Sequence, residues 1–146
     1  MEVKVRVKLL EGALMPAYQT EGASGADIRA LIAEPLEIAP GARCAVPTGV
    51  YVEVPVGYEV QVRPRSGLAV REGVTVLNTP GTIDSDYRGE IVVIMINLSD
   101  KPFRIASGDR IAQMVVCPVV HGVLEEVKEL SETARGEGRF GHTGKQ

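Results

Sequence analysis

The sequence predicts an all-β domain, an antiparallel sandwich or barrel. Three observations predict it: apolar and polar residues alternate with period two along most of the chain, short Gly- or Pro-bearing turns separate the alternating runs, and helix periodicity is nearly absent.

In order along the chain, Val3, Val5, Val7 and Leu9 alternate with Lys4, Arg6 and Lys8, which predicts a half-buried strand. YVEV (51–54), YEVQVR (58–63), VTVLN (74–78), EIVVIMINL (90–98) and RIAQMVVCPVV (110–120) continue the pattern. PVG, TPG, LSDKP and SGD lie among them, each with turn chemistry. SGLAVREG (66–73) is the one helical segment predicted. The run from Glu90 to Leu98 is apolar on both faces, with Ile91, Val93 and Met95 on one and Val92, Ile94 and Ile96 on the other. A strand of one small barrel has a wet face. A doubly apolar strand therefore predicts that one face packs on another subunit, and a closed homo-oligomer is the economical arrangement.

Composition narrows the class. The length fits one domain. Lys+Arg number 16 against Asp+Glu 19, and no basic block occurs, which argues against a nucleic-acid polymer as partner but leaves a small anionic ligand open. No run reaches the length of a membrane span, and the first ten residues lack a signal peptide's apolar core. No membrane partner is expected. Cys44 and Cys117 stand in apolar surroundings, outside any metal-ligand spacing, and read as buried thiols of a cytoplasmic protein.

Several short segments bear chemistry, and each has an ordinary reading beside a functional one. In RPRSGL (63–68), Pro64 ends a strand, Ser66 is placed to cap the helix, and Gly67 exposes backbone N–H groups beside Arg65. That is an anion site or an ordinary N-cap with a surface arginine. In GDRIAQMVV (108–116), alternation puts Gln113 on a face with Ile111 and Val115, so its amide needs a partner from the core or from a ligand. Asp27, in SGADIRA (24–30), follows a glycine turn and by itself decides nothing. VTVLN, TPG and TID read as a hairpin with Asn78 and Asp84 near facing positions. GTIDSDYRG (81–89) is then a solvated corner, or a loop whose carboxylate is a general base and whose Tyr87 ring lies against a sugar. The Gly-rich tail SETARGEGRFGHTGKQ (131–146) reads alone as a frayed terminus; Phe140 between Gly138 and Gly141 also fits an arm closing over a flat ligand. FGHTGK is not a phosphate loop, since Arg139 stands where that motif needs glycine and Gln146 where it needs Ser or Thr.

Taken together, SGADIRA, RPRSGL, NTPGTIDSDYRG, GDRIAQMVV and RGEGRFGHTG resemble, in order and spacing, the five motifs of the trimeric dUTPases. The resemblance implies a distorted jelly-roll-like β-barrel over 1–130 with one short helical segment, and a flexible C-terminal arm over 131–146 that completes a neighbouring active site. It implies hydrolysis of dUTP to dUMP and pyrophosphate, with Asp84 activating water for attack on the α-phosphorus. Asn78, Gly81, Thr82 and Ile83 would line a uracil slot with Val92 close by, and Tyr87 would stack under deoxyribose. Arg65, Ser66, Gly67 and Gln113 would contact phosphates and Arg135 the γ-phosphate. Phe140 would cover uracil, within an arm that also brings Gly141, His142 and Thr143. Mg2+ would bridge the phosphates, with Asp27 reaching it through water, and the assembly would be a homotrimer with shared sites. One departure is Arg139, where the family usually has glycine. It would cost roughly 1 kcal/mol or more if the position required φ > 0, or would add a cation beside the triphosphate. Two rival readings are a dCTP deaminase-like enzyme, which uses a glutamate and lacks this arm, and a non-catalytic nucleotide-binding jelly-roll module, which would lose Asp84 or Arg135.

Overall fold

The computed structural model describes residues 2–144; Met1, Lys145 and Gln146, and with them the outer ends of the 1–130 and 131–146 segments, lie outside the described residues. The strands in chain order are β1 (Arg6–Leu9), β2 (Ala17–Tyr18), β3 (Ala26–Arg29), β4 (Leu36–Ile38), β5 (Arg43–Glu53) and β6 (Tyr58–Arg63). After the helix α1 (Ser66–Glu72) come β7 (Val74–Val76), β8 (Gly81–Ile83), β9 (Glu90–Asn97), β10 (Phe103–Ile105) and β11 (Arg110–Pro118). All pairings are antiparallel. One sheet has the order β1-β5-β9-β7, a second β2-β3-β11-β6-β8, and β10 pairs with β4 in a third. The architecture is jelly-roll-like and all-β, with one short helix.

The alternating residues meet between the sheets. Val46, Val50, Ile91 and Val93 of the first sheet and Ile28, Val60, Ile111 and Ala112 of the second belong to one buried cluster. Burial of each of these valine and isoleucine side chains stabilises the fold by roughly 1.5–3 kcal/mol. Asn97, at the end of β9, is fully buried and fully used: Nδ2 donates to the carbonyls of Ile38 and Lys101, and Oδ1 accepts from the Ser99 amide and hydroxyl. A buried amide satisfied in this way ties the strand end to β4 without a polar penalty.

Four details depart from the expectations. β5 extends back to Arg43 through Pro47 and Gly49, residues that argue against a strand; the pairing with β9 accommodates them by an irregularity between Pro47 and Tyr51. VTVLN and TID do not pair with each other: β7 joins β9 and β8 joins β6, so the expected hairpin is splayed across two sheets. Ser66 is the first helical residue rather than the cap; Arg65 holds the cap position with no side-chain cap bond. Cys44 and Cys117 are free but only partly buried.

Candidate active site

Two constellations emerge from the predicted residues. The first gathers where β3, β11 and β6 run side by side. Gln113 on β11 is opposite Asp27 on β3 and opposite Arg63 on β6, which sets it two residues from Arg65. Its amide nitrogen donates to the carbonyl of Pro64 at 3.0 Å. A register irregularity between Arg110 and Ala112 buries Ile111 and Ala112 alike, so Gln113 does not share a face with Ile111 as alternation predicted. Its amide is partly exposed and already bonded, not stranded in the core.

The Asp27 carboxylate is largely buried and gripped by two guanidinium groups. Arg110 Nη1 lies 3.0 Å from Oδ2, and Arg65 Nε lies 3.6 Å from Oδ1. Arg65 Nη1 also donates to the Arg110 carbonyl at 2.9 Å, which fixes the guanidinium plane. Two arginines against one carboxylate leave a net positive pocket, suited to an anion. Ser66 is exposed and Gly67 partly buried just beyond. The sequence reading did not single out Arg110; its place beside Asp27 follows from the β3–β11 register, although it stands in GDRIAQMVV next to Asp109. Gly25 belongs here too, since a Cβ there would collide with Gln113 Oε1.

The second constellation is the corner after β8. Gly81, Thr82 and Ile83 pair with Val62, Gln61 and Val60, at the edge of their sheet. Gly81 is buried with the Asn78 amide close to it, while Asn78 and Thr82 are exposed. Asp84 follows, exposed and outside any ion pair among the described residues. The Tyr87 amide donates to the Asp84 carbonyl at 3.1 Å and closes the turn. The Tyr87 phenol donates to the Glu90 carbonyl at 2.9 Å, which leaves the ring partly open to solvent. Val92 projects outward on β9, two residues from the Ile94 carbonyl that accepts from Leu77 where the splayed corner leaves β7.

The structure does not bring the two constellations together within one chain. Asp84 comes next after Ile83, which pairs with Val60, whereas Arg65 lies beyond Arg63 at the other end of β6. Six residues of extended chain, from the level of Glu59 to Arg65, separate the two by about 20 Å. Asp84 is surrounded by Tyr58, Glu59, Asp86 and His121, so the depression it faces is rich in carboxylates. Arg88, on the same corner, spends Nη1 on the carbonyls of Ser85 and Tyr87.

The tail residues stand apart from both. Arg135, Phe140, Gly141, His142 and Thr143 are exposed, and among the described residues the hydrogen bonds of 131–144 stay within that segment, including Arg135 Nε to the Gly138 carbonyl. No non-glycine residue among those described has positive φ, so Arg139 carries no left-handed strain. Its conditional cost does not arise.

The chain is similar to known proteins over nearly its whole length. A family model described as dUTPase matches residues 11–144. A deoxyuridine 5'-triphosphate nucleotidohydrolase of Treponema denticola is 56% identical over 142 residues, which cover 97% of this chain and 99% of the relative. One of Roseobacter denitrificans is 61% identical over 131 residues, covering 89% and 86%. Among solved structures, a Staphylococcus bacteriophage 80alpha dUTPase with dUpNHpp superposes with a TM-score of 0.87 at 28% identity, covering 97% of this chain and 98% of that one.

Proposed function

The chain belongs to the dUTPase family and is an enzyme that hydrolyses dUTP, and from that premise we propose that Asp84 is the base of a site assembled from more than one copy of the chain. The observation that carries this reading is the contrast between the two candidate carboxylates. Asp27 is spent on Arg110 and Arg65, whereas Asp84 is exposed and free of ion pairs among the described residues. Of the two, Asp84 is the carboxylate that no cation engages, and so the better placed to accept a proton from water. That water attacks the α-phosphorus of dUTP and releases pyrophosphate, leaving dUMP. The reaction limits uracil incorporation into DNA and supplies dUMP for dTTP synthesis.

The base would sit in the splayed corner, where Asn78 and the backbone of Gly81, Thr82 and Ile83 offer pairing groups that neither sheet uses fully, with Val92 beside them. Tyr87 would lie under deoxyribose, its ring leaving no room for a 2′-hydroxyl. The triphosphate needs cations, which the carboxylate-lined depression at Asp84 lacks. Arg65, Ser66, Gly67 and Gln113 of a second copy would supply the contacts, because their own chain holds them a strand's length from Asp84. The arm, 131–146, would then bring Arg135 to the γ-phosphate and Phe140 over uracil, with Gly141, His142 and Thr143 closing behind.

A homotrimer fits this division of labour. Val92, Ile94 and Ile96 form an apolar row on the outer side of β9, and Val120, Val123, Leu124 and Leu130 are exposed in the segment leading to the arm. Both surfaces are covered if a neighbouring copy packs on them.

Among the described residues no group of three or more His, Cys, Asp or Glu side chains is placed to hold a metal ion. Mg2+ keeps several waters and takes substrate phosphates as ligands, and so would ask few direct ligands of the protein. Asp27, held between two arginines, fits contact through water rather than direct ligation. When bound, Mg2+ would supply charge neutralisation to the phosphates. Two free thiols fit a cytoplasmic location. A panel of dUTP, dCTP, dTTP and UTP read by product chromatography tests the reaction: dUMP with pyrophosphate from dUTP supports it, and ammonia release or no turnover contradicts it.

A further inference from the structure

Glu90 holds the corner after β8 in two ways. Its backbone carbonyl accepts the Tyr87 phenol at 2.9 Å. Its side-chain Oε1 accepts from two consecutive amides of β5, Gly49 at 2.7 Å and Thr48 at 3.1 Å. Those amides lie in the stretch between Pro47 and Tyr51, where the β5–β9 pairing is interrupted. Such an interruption leaves backbone donors without ladder partners, and one carboxylate oxygen satisfies both. Regular pairing resumes at Tyr51 with Glu90 itself. The position of residue 90 is thus fixed from the sheet and from its own side chain.

The ring of Tyr87 depends on that position. A Cβ at residue 89 would collide with the phenol oxygen and Cζ of Tyr87, so the ring lies directly across Gly89, and a larger residue there would have to displace the ring. The phenol is spent on Glu90, and the ring stays partly exposed. The ring angle at the corner is therefore set by where Glu90 stands.

We propose that Glu90 is a positioning residue for Tyr87, and through it a determinant of deoxyribose over ribose selection, by anchoring the carbonyl that holds the phenol to the interrupted stretch of β5. This rests on the reading of Tyr87 as the ring beneath the sugar. A merely structural clamp would move stability without moving sugar preference.

The test compares kcat/KM for dUTP and UTP in Glu90→Ala, Glu90→Gln, Tyr87→Phe and Tyr87→Ala, with thermal melting alongside. Glu90→Ala should lower the dUTP/UTP ratio by about tenfold. Glu90→Gln keeps an amide oxygen for both β5 donors and should restore most of the ratio. Tyr87→Phe cuts the same link from an exposed side chain and carries the test if Glu90→Ala does not fold. Glu90→Ala combined with Tyr87→Phe should lower the ratio no further than either alone, because each removes the same constraint. A Glu90→Ala or Tyr87→Phe enzyme with the wild-type ratio, while Tyr87→Ala lowers it, overturns the proposal and leaves the Tyr87 reading standing. A wild-type ratio in Tyr87→Ala overturns both.

Discussion

Asp84 and Arg65 stand at opposite ends of β6. Asp84 adjoins the β8 residue paired with Val60, and Arg65 follows the strand's other end at Arg63. In the proposed site, Asp84 activates water and Arg65 holds phosphate, so the two must act on one triphosphate. Within one chain the register of β6 holds them a strand's length apart, and a second copy is the simplest way to bring them together.

Asp84→Asn should bind dUTP as the parent does and lose turnover. The amide keeps the shape but accepts no proton, and a positioned general base contributes about 10²–10⁴-fold. A fall in kcat of less than tenfold would leave Asp84 as a solvated turn residue.

Tyr87→Ala should narrow the preference for dUTP over UTP by opening space beneath the sugar. The ratio of kcat/KM for the two substrates is the readout, and an unchanged ratio counts against the stacking role.

Ile94→Asp should break the assembly. Ile94 lies on the outer side of β9 beside Val92 and Ile96, and a carboxylate buried there without a partner is strongly unfavourable. Sedimentation should show monomers with the strand signature retained in circular dichroism and activity lost. A stable, fully active monomer, mutant or wild type, would contradict both the trimer and the shared site.

Removing residues 134–146 should leave the fold and assembly intact, since the described part of that segment contributes nothing to the core, and should remove most of the activity. Phe140→Ala alone should lower kcat/KM by about ten- to a hundredfold, as loss of one base-stacking contact does. Arg139→Gly separates two roles. A salt-dependent weakening of dUTP binding marks Arg139 as an extra phosphate contact, and unchanged binding marks it as a tolerated surface residue. Full activity after truncation would make the arm a frayed end.

Much of the fold was legible from alternation alone, and β6 coincides with the YEVQVR run. What alternation could not show are the places where the backbone breaks its own period. Pro47 and Gly49 hid β5 from Arg43 to Val50, and the irregularity at Arg110 moved Gln113 off the face it was assigned. The site was legible as residue types on corners: Asp84 and Tyr87 do occupy a turn between strands. Partners distant in sequence were not legible. Arg110 reaches Asp27 across 83 positions, and the splaying of β7 from β8 depends on which sheet each joins.

Mixing two inactive variants gives the most direct test of the composite site. Asp84→Asn and Arg65→Ala chains should each be nearly inactive alone. Unfolded and refolded together, they should regain a substantial share of wild-type turnover, because some sites then pair an intact Asp84 from one chain with an intact Arg65 from its neighbour. If the mixture stays as inactive as its components while sedimentation shows mixed assemblies, Asp84 and Arg65 do not act across subunits, and the composite site is wrong.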